Sequence, residues 1–103
     1  MSYEVVAATS FEKRLDEAVR HRLLSNGRRS AAKLVASVER VSSLLANSPR
    51  LGKLLRIERG HAPRLRWVLV ENYVIVYSVN DEDSTILLED LFAGGANWRQ
   101  GLE

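Results

Sequence analysis

The stretch that decides the fold is Arg64-Leu65-Arg66-Trp67-Val68-Leu69-Val70, Glu71-Asn72, Tyr73-Val74-Ile75-Val76-Tyr77-Ser78-Val79, followed after Asn80 to Ser84 by Thr85-Ile86-Leu87-Leu88-Glu89-Asp90-Leu91-Phe92. Three runs rich in β-branched and aromatic residues, bounded by turn formers, read as strands. Glu71-Asn72 has the length of a two-residue hairpin loop, and asparagine tolerates the positive φ that such a loop demands. The polar break from Asn80 to Ser84 reads as a solvated hairpin tip. The stretch is therefore expected to form an antiparallel meander, and the residues upstream must cover it.

Upstream, Tyr3 to Ala8 is a short strand candidate. Val5 and Val6 are adjacent, so the alternation is not clean, which suits an edge or a mixed sheet. Thr9-Ser10-Phe11-Glu12 has the form of a capping box with Thr9 as the cap. Phe11, Leu15, Ala18, Val19 and Leu23 follow at helical spacing. Ser25-Asn26-Gly27 ends this helix, with Gly27 or Asn26 suited to a left-handed cap. Ser30 is the expected N-cap of a second helix. Its apolar seam is Ala31, Leu34, Val38, Val41 and Leu45, widened by Val35 and Leu44. Ser48-Pro49 stops it, because a residue before proline is pushed out of helical geometry. The short connection implies an antiparallel helical hairpin. Leu54 to Glu58 is a further short strand candidate, and Arg59 to Pro63 is turn chemistry. The order β, α, α, then β-rich gives an α+β class: an N-terminal strand and a helical hairpin, from about Ser10 to Asn47, packed on one face of an antiparallel sheet.

The 103 residues suit one domain over 1–103. The absence of cysteine excludes disulfides and thiolate zinc sites, which fits a cytoplasmic location. No stretch approaches membrane-spanning length, so no membrane partner is expected. Neither His21 nor His61 has neighbours at metal-ligand spacing, so no metal is expected, and no cofactor is implied, since Walker and dinucleotide fingerprints are missing. Net charge is only +2, but twelve of the fifteen basic residues are arginine. Such a surface suits an acidic partner, nucleic acid or protein.

The basic residues Arg50, Lys53, Arg56, Arg59, Arg64 and Arg66 cluster in sequence ahead of the meander or on its first strand. Arg64 and Arg66 share a face. The simplest expectation is that Leu65, Trp67 and Leu69 form the core face and the arginines its wet reverse. Asp90 falls on the face of Ile86, Leu88 and Phe92, while Glu89 shares a face with Leu87 and Leu91. A salt bridge from Asp90 to a neighbouring-strand arginine is expected, since an unpaired buried carboxylate is costly. Trp98 is the expected anchor of the C-terminal tail.

Asn72 to Tyr77, the arginine-bearing strand before it, the strand ending at Phe92, the tail with Trp98, Ser48-Pro49-Arg50-Leu51-Gly52 and the two helical segments together resemble the RelE/ParE toxin superfamily of type II toxin–antitoxin systems. The resemblance covers nearly the whole chain and implies the α+β fold already read from the pattern. It also implies a bacterial toxin with a cognate antitoxin and possible homodimers. The mRNA endonuclease branch of that superfamily cleaves with basic residues on the sheet and tail, including an arginine straight after the tyrosine that opens the penultimate strand. Here that position is Val74. Gly94-Gly95 stands where that branch is basic, and Trp98 and Arg99 stand in place of a tail tyrosine. The resemblance therefore leans to the ParE branch, known for poisoning DNA gyrase without being an enzyme. An mRNA interferase acting on ribosome-bound mRNA is the alternative, with Lys53, His61, Arg64 and Arg66 as candidate catalytic residues. A non-toxic binding module of the same fold is the third reading. Arg56, Arg59, Arg64, Arg66, Trp98 and Arg99 are the candidate antitoxin- or target-binding residues.

Overall fold

The computed structural model describes residues 2–55, 65–95 and 98. Strand β1 (Glu4–Ala7) leads into helices α1 (Thr9–Asn26) and α2 (Arg28–Asn47), and β2 (Lys53–Leu54), β3 (Leu65–Val70), β4 (Tyr73–Asn80) and β5 (Thr85–Ala93) complete the chain. The sheet order is β1-β5-β4-β3-β2. β2 to β5 are antiparallel neighbours, and β1 joins β5 in parallel at the edge. This is the expected α+β arrangement, with the helical hairpin on one face of the sheet.

The helices start differently from expectation. α1 is capped at Ala8, without a side-chain bond, and Thr9 is already helical. The reason is tertiary: the Ala8 N–H closes the parallel ladder on the Leu88 carbonyl, so the helix must begin directly after it. The Ser10 hydroxyl is used on the Glu89 carbonyl, 2.6 Å away. Gly27 alone connects the two helices, at φ 90° and ψ 178°. It donates to the Arg22 and Leu23 carbonyls and accepts from Ala31, so it ends α1 and caps α2, and Ser30 is not the cap. That backbone conformation suits glycine and strains other residues.

The core between helices and sheet holds Phe11, Ala18, Leu34, Val38 and Leu45 from the helices and Val70, Tyr73, Ile75, Tyr77, Ile86, Leu88 and Leu91 from the strands. Leu34, Leu45, Ile75, Tyr77 and Ile86 are fully buried. Each such side chain contributes about 1.5–3 kcal/mol by leaving water. Leu23, Val35 and Leu44, expected in the helical stripes, are exposed, and Ser37 is buried instead. The hairpin's one-residue connection fixes the roll of both helices, and those three leucine and valine side chains fall on its outer side.

The expected facing of β3 is reversed. Leu65 and Trp67 belong to a second apolar cluster on the sheet face away from the helices, with Leu69 exposed. Val68 and Val70 take the helix side. The two-residue loop pairs Val70 with Tyr73 and Val68 with Ile75, so once Tyr73 and Ile75 enter the core, parity carries Val70, Val68 and Arg66 with them. In that loop Glu71, not Asn72, takes the positive φ of 55°.

β5 also departs from simple alternation. Its register with β4 slips between Val76 and Tyr77, so that Asp90 faces Val76 while Leu88 faces Tyr77, and Glu89 is the extra residue of a bulge. Ile86, Leu88 and Leu91 thereby all reach the main core. Glu89 does not share the face of Leu91, and Asp90 does not share that of Ile86 and Leu88. Asp90 does form a salt bridge, but to Arg14 of α1 (2.9 Å) instead of a strand arginine.

Candidate functional site

The sheet face away from the helices is the candidate site. It is organised by β4, whose residues Tyr73 to Tyr77 are all buried, so this strand is covered on both sides. On the open side Val74 and Val76 are flanked by Leu65 and Trp67 of β3, Leu55 beyond β2 and Phe92 of β5. Trp98 lies over this cluster, its ring 5.5 Å from Trp67 and 6.4 Å from Phe92 with tilted planes. Such offset aromatic arrangements are favoured by the ring quadrupoles. The Lys53 ammonium sits 5.5 Å from the Trp67 ring, and the Arg14 guanidinium 5.0 Å from the Phe92 ring. Both are within range of a cation–π attraction.

Toward β1 the same face mixes polar and apolar side chains. The Ser78 hydroxyl donates to Glu89 Oε2 at 2.8 Å. A shallow cavity of about 330 Å³ follows, lined by Val6, Ser78, Asn80, Thr85, Ile86 and Leu87. The face therefore presents an aromatic, apolar half bordered by single cations and a smaller half that carries the Glu89 carboxylate. Among the described residues no three His, Asp or Glu side chains converge to hold a metal ion.

The structure separates the predicted basic residues. Lys53 pairs with Trp67 and shares its open face, whereas Arg66 pairs with Leu54 and Tyr77 on the helix side. There Arg66 Nη1 donates to the Gly52 carbonyl at 2.8 Å. The neighbouring Tyr77 hydroxyl donates to the Pro49 carbonyl and accepts the Gly52 N–H, both at 2.8 Å. A Cβ at Gly52 would lie 2.6 Å from the Trp67 carbonyl oxygen and 2.7 Å from the Tyr77 hydroxyl, so the turn requires glycine. Burial raises the Tyr77 pKa, against the opposing Gly52 N–H and Arg66 charge. Arg66 is thus a buttress of the turn that sets Lys53 on Trp67. Trp98 packs where a tail anchor would. Arg56, Arg59, His61, Arg64 and Arg99 lie outside the described residues.

Sequence reading missed three contributors. Arg14 bridges α1 to Asp90 and Phe92. Tyr77 ties the loop after α2 to the sheet. Arg22 clamps the β3–β4 loop, donating to Glu71 and Asn72 at 2.6 Å and lying 5.5 Å from the Tyr73 ring. The Glu71 carboxyl is held below its ordinary range, first by the Ser37 hydroxyl and then by Arg22. Nothing in the local pattern of α1 distinguishes Arg14 or Arg22 from its solvated charges.

Residues 5–93 match the model of the family described as ParE toxin of the type II toxin–antitoxin system, parDE. The chain belongs to the ParE toxin family. It is accordingly a member of the RelE/ParE superfamily of type II toxins. Solved structures with the same fold include the chromosomal ParDE system of P. aeruginosa, with TM-score 0.71 and 14% identity over 91% of this chain and 98% of that one. The RelBE2 toxin–antitoxin complex of Mycobacterium tuberculosis has TM-score 0.64 and 23% identity, covering 90% and 99%. The intact E. coli RelBE complex has TM-score 0.58 and 19% identity, covering 92% and 100%. At such identities the likeness is one of fold. No curated protein is significantly similar to the chain. Among the described residues no helix of this ParE-family chain is long and apolar enough to cross a membrane.

Proposed function

We propose that this ParE-family chain is a single toxin domain over residues 1–103 that acts in the cytoplasm by binding a protein target, DNA gyrase, and is neutralised by a cognate antitoxin. The observation that carries this reading is Val74. It stands where the nuclease branch of the superfamily places an arginine, and it is 1% exposed within the apolar cluster of Trp67, Phe92 and Trp98. Cleaving RNA requires activating a ribose hydroxyl, stabilising extra phosphate charge and protonating a leaving oxygen. An aromatic face bordered by Lys53 offers the second in part. It is better suited to burying an apolar surface of a partner protein, with Trp98 as an anchor. Arg56, Arg59, Arg64 and Arg99 are proposed to steer the acidic partner, and Arg66 to act through the turn it holds. Steering of this kind makes association salt-sensitive.

The test is a parallel assay of purified gyrase and of ribosome-bound mRNA with the wild-type protein. Loss of gyrase supercoiling with intact mRNA is expected. Codon-specific mRNA cuts that vanish in Lys53→Ala, with supercoiling untouched, would replace this reading by the mRNA interferase one. If neither substrate is affected while antitoxin binding persists, the non-toxic binding module takes its place.

A further inference from the structure

Arg22 stands near the end of α1 and works on both sides of the helical connection. Its carbonyl accepts the Gly27 N–H at 3.0 Å. Its Nη1 lies 3.4 Å from the Ser30 carbonyl and 2.6 Å from Glu71 Oε1, while Nη2 donates to Asn72 Oδ1 at 2.6 Å. The side chain is only 12% exposed, so these bonds are little screened by solvent. A guanidinium presents its donors in a rigid planar fork. Two acceptors on adjacent loop residues are thereby held at one spacing from the helical hairpin. One of them, Glu71, has φ 55°, a conformation disfavoured outside glycine, so the loop needs such a hold.

Asn72 carries that position onward through its backbone. Its carbonyl accepts the Gly94 N–H at 2.6 Å, just after Tyr73 has paired with Ala93, the last residue of β5. A Cβ at Gly94 would stand 2.8 Å from the same carbonyl oxygen, so this close approach requires glycine. Gly94 is where the chain leaves the sheet, and three residues separate it from Trp98. Trp98 then lies 5.5 Å from Trp67 and 6.4 Å from Phe92 on the open face. With so short a span, a shift of the departure point at Gly94 is passed to the indole.

We infer that Arg22 is a positioning residue for the open face: through Asn72 and Gly94 it sets where the chain leaves the sheet, and so seats Trp98 on Trp67. A residue of the helical hairpin thereby belongs to the site on the opposite side of the sheet. The inference deepens the proposed function and rests on the reading that this face recognises the target.

The experiment uses the full chain. Two indoles this close couple their far-ultraviolet transitions, and the circular-dichroism difference between wild type and Trp98→Ala isolates that couplet. Arg22→Lys keeps the charge beside Glu71 but replaces the fork by a single nitrogen, and it should lose most of the couplet. Asn72→Leu should lose it too, whereas Asn72→Asp, which retains an oxygen acceptor, should keep it. Gly94→Ala should lose it with Arg22 in place. Ile75→Val, which loosens the core without touching Asn72, should keep it in full. In wild type the Gly94 amide should exchange at least about a hundredfold more slowly than in an unstructured chain. Arg22→Lys should need roughly two- to tenfold more protein to inhibit gyrase, the effect of one anchor side chain no longer held in place.

A full couplet in folded Arg22→Lys and Asn72→Leu overturns the proposal. Equal loss in Ile75→Val also overturns it, because Arg22 would then act only through general stability. If neither loop variant folds, the wild-type Gly94 amide decides, and free exchange there overturns the proposal. An Arg22-dependent couplet in a chain that leaves gyrase untouched removes the target reading and leaves the positioning role standing.

Discussion

The two faces of the sheet are both apolar, but they are covered in different ways. The helix side is sealed by two helices, and Leu34, Leu45, Ile75, Tyr77 and Ile86 meet no water. Among the described residues, the open side is covered at its centre by side chains and not by a helix: Trp67, Phe92 and Trp98, with Leu55 and Leu65, over Val74 and Val76. A face sealed by secondary structure contributes chiefly to folding. A face covered by a few side chains is protected in the free molecule and can be bared to a partner at smaller cost. The contrast assigns stability to one side of β4, and under the proposed function recognition belongs to the other.

The largest effect should come from emptying the helix side. Ile75→Ala deletes a fully buried side chain between Val68 and Leu91. It should cost about 2–5 kcal/mol in urea unfolding, the range for such truncations. A loss below 1 kcal/mol, as a rough threshold, would show that the helix side is not the sealed one.

Next comes the turn that joins the two faces. Tyr77→Phe removes the acceptor for the buried Gly52 N–H and the donor to Pro49. It should cost about 1–3 kcal/mol, the penalty for an unsatisfied buried polar group. Gly52→Ala should be at least as harmful, because its Cβ meets backbone and hydroxyl together. If thermal melts place both variants at the wild-type midpoint, the turn does not govern β2.

On the open side, Trp98→Ala should leave the fold intact at a cost of about 1 kcal/mol, since its ring covers a cluster that β3, β4 and β5 already define. The measurement that separates the faces is fluorescence. Trp67 is then the only tryptophan, and its selectively excited emission should move to longer wavelength as water reaches it. An unshifted spectrum would mean that Trp98 does not cover the site. Under the proposed function, gyrase binding should weaken in the same variant.

The smallest effect concerns the β3–β4 loop. The folded Glu71 carboxyl titrates below its unfolded value because Ser37 and Arg22 favour its charged form. Its contribution is therefore fully present above the unfolded value of about 4.3 and is lost as pH falls through the lower folded value. The Glu71 side chain is 20% exposed and its ion pair with Arg22 lies in a surface loop, so the loss is modest. Glu71→Gln should flatten the acid limb of the stability–pH curve in that window, and an unchanged limb would remove the Arg22 clamp from the account.

The sequence by itself determined the class, the order of elements and the hairpins, because those depend on local period and turn chemistry. The 3.6-residue spacing of Phe11 to Ala18 and of Ala31 to Leu45, the glycine at 27, the proline at 49 and the two-residue break at Glu71-Asn72 all survive in the fold. Facing was not legible in the same way. Tyr73 to Tyr77 is apolar at every position, so either parity of β4 satisfied the pattern, and β3 followed whichever was chosen. Only the packing of Tyr73 and Ile75 against the helices settled it, and with it the separation of Lys53 from Arg66. The bulge at Glu89 has no local signature either. It arises because β5 must present Ile86, Leu88 and Leu91 to one core, which strict alternation forbids. The candidate functional face follows from that packing, since it depends on which side two helices leave open.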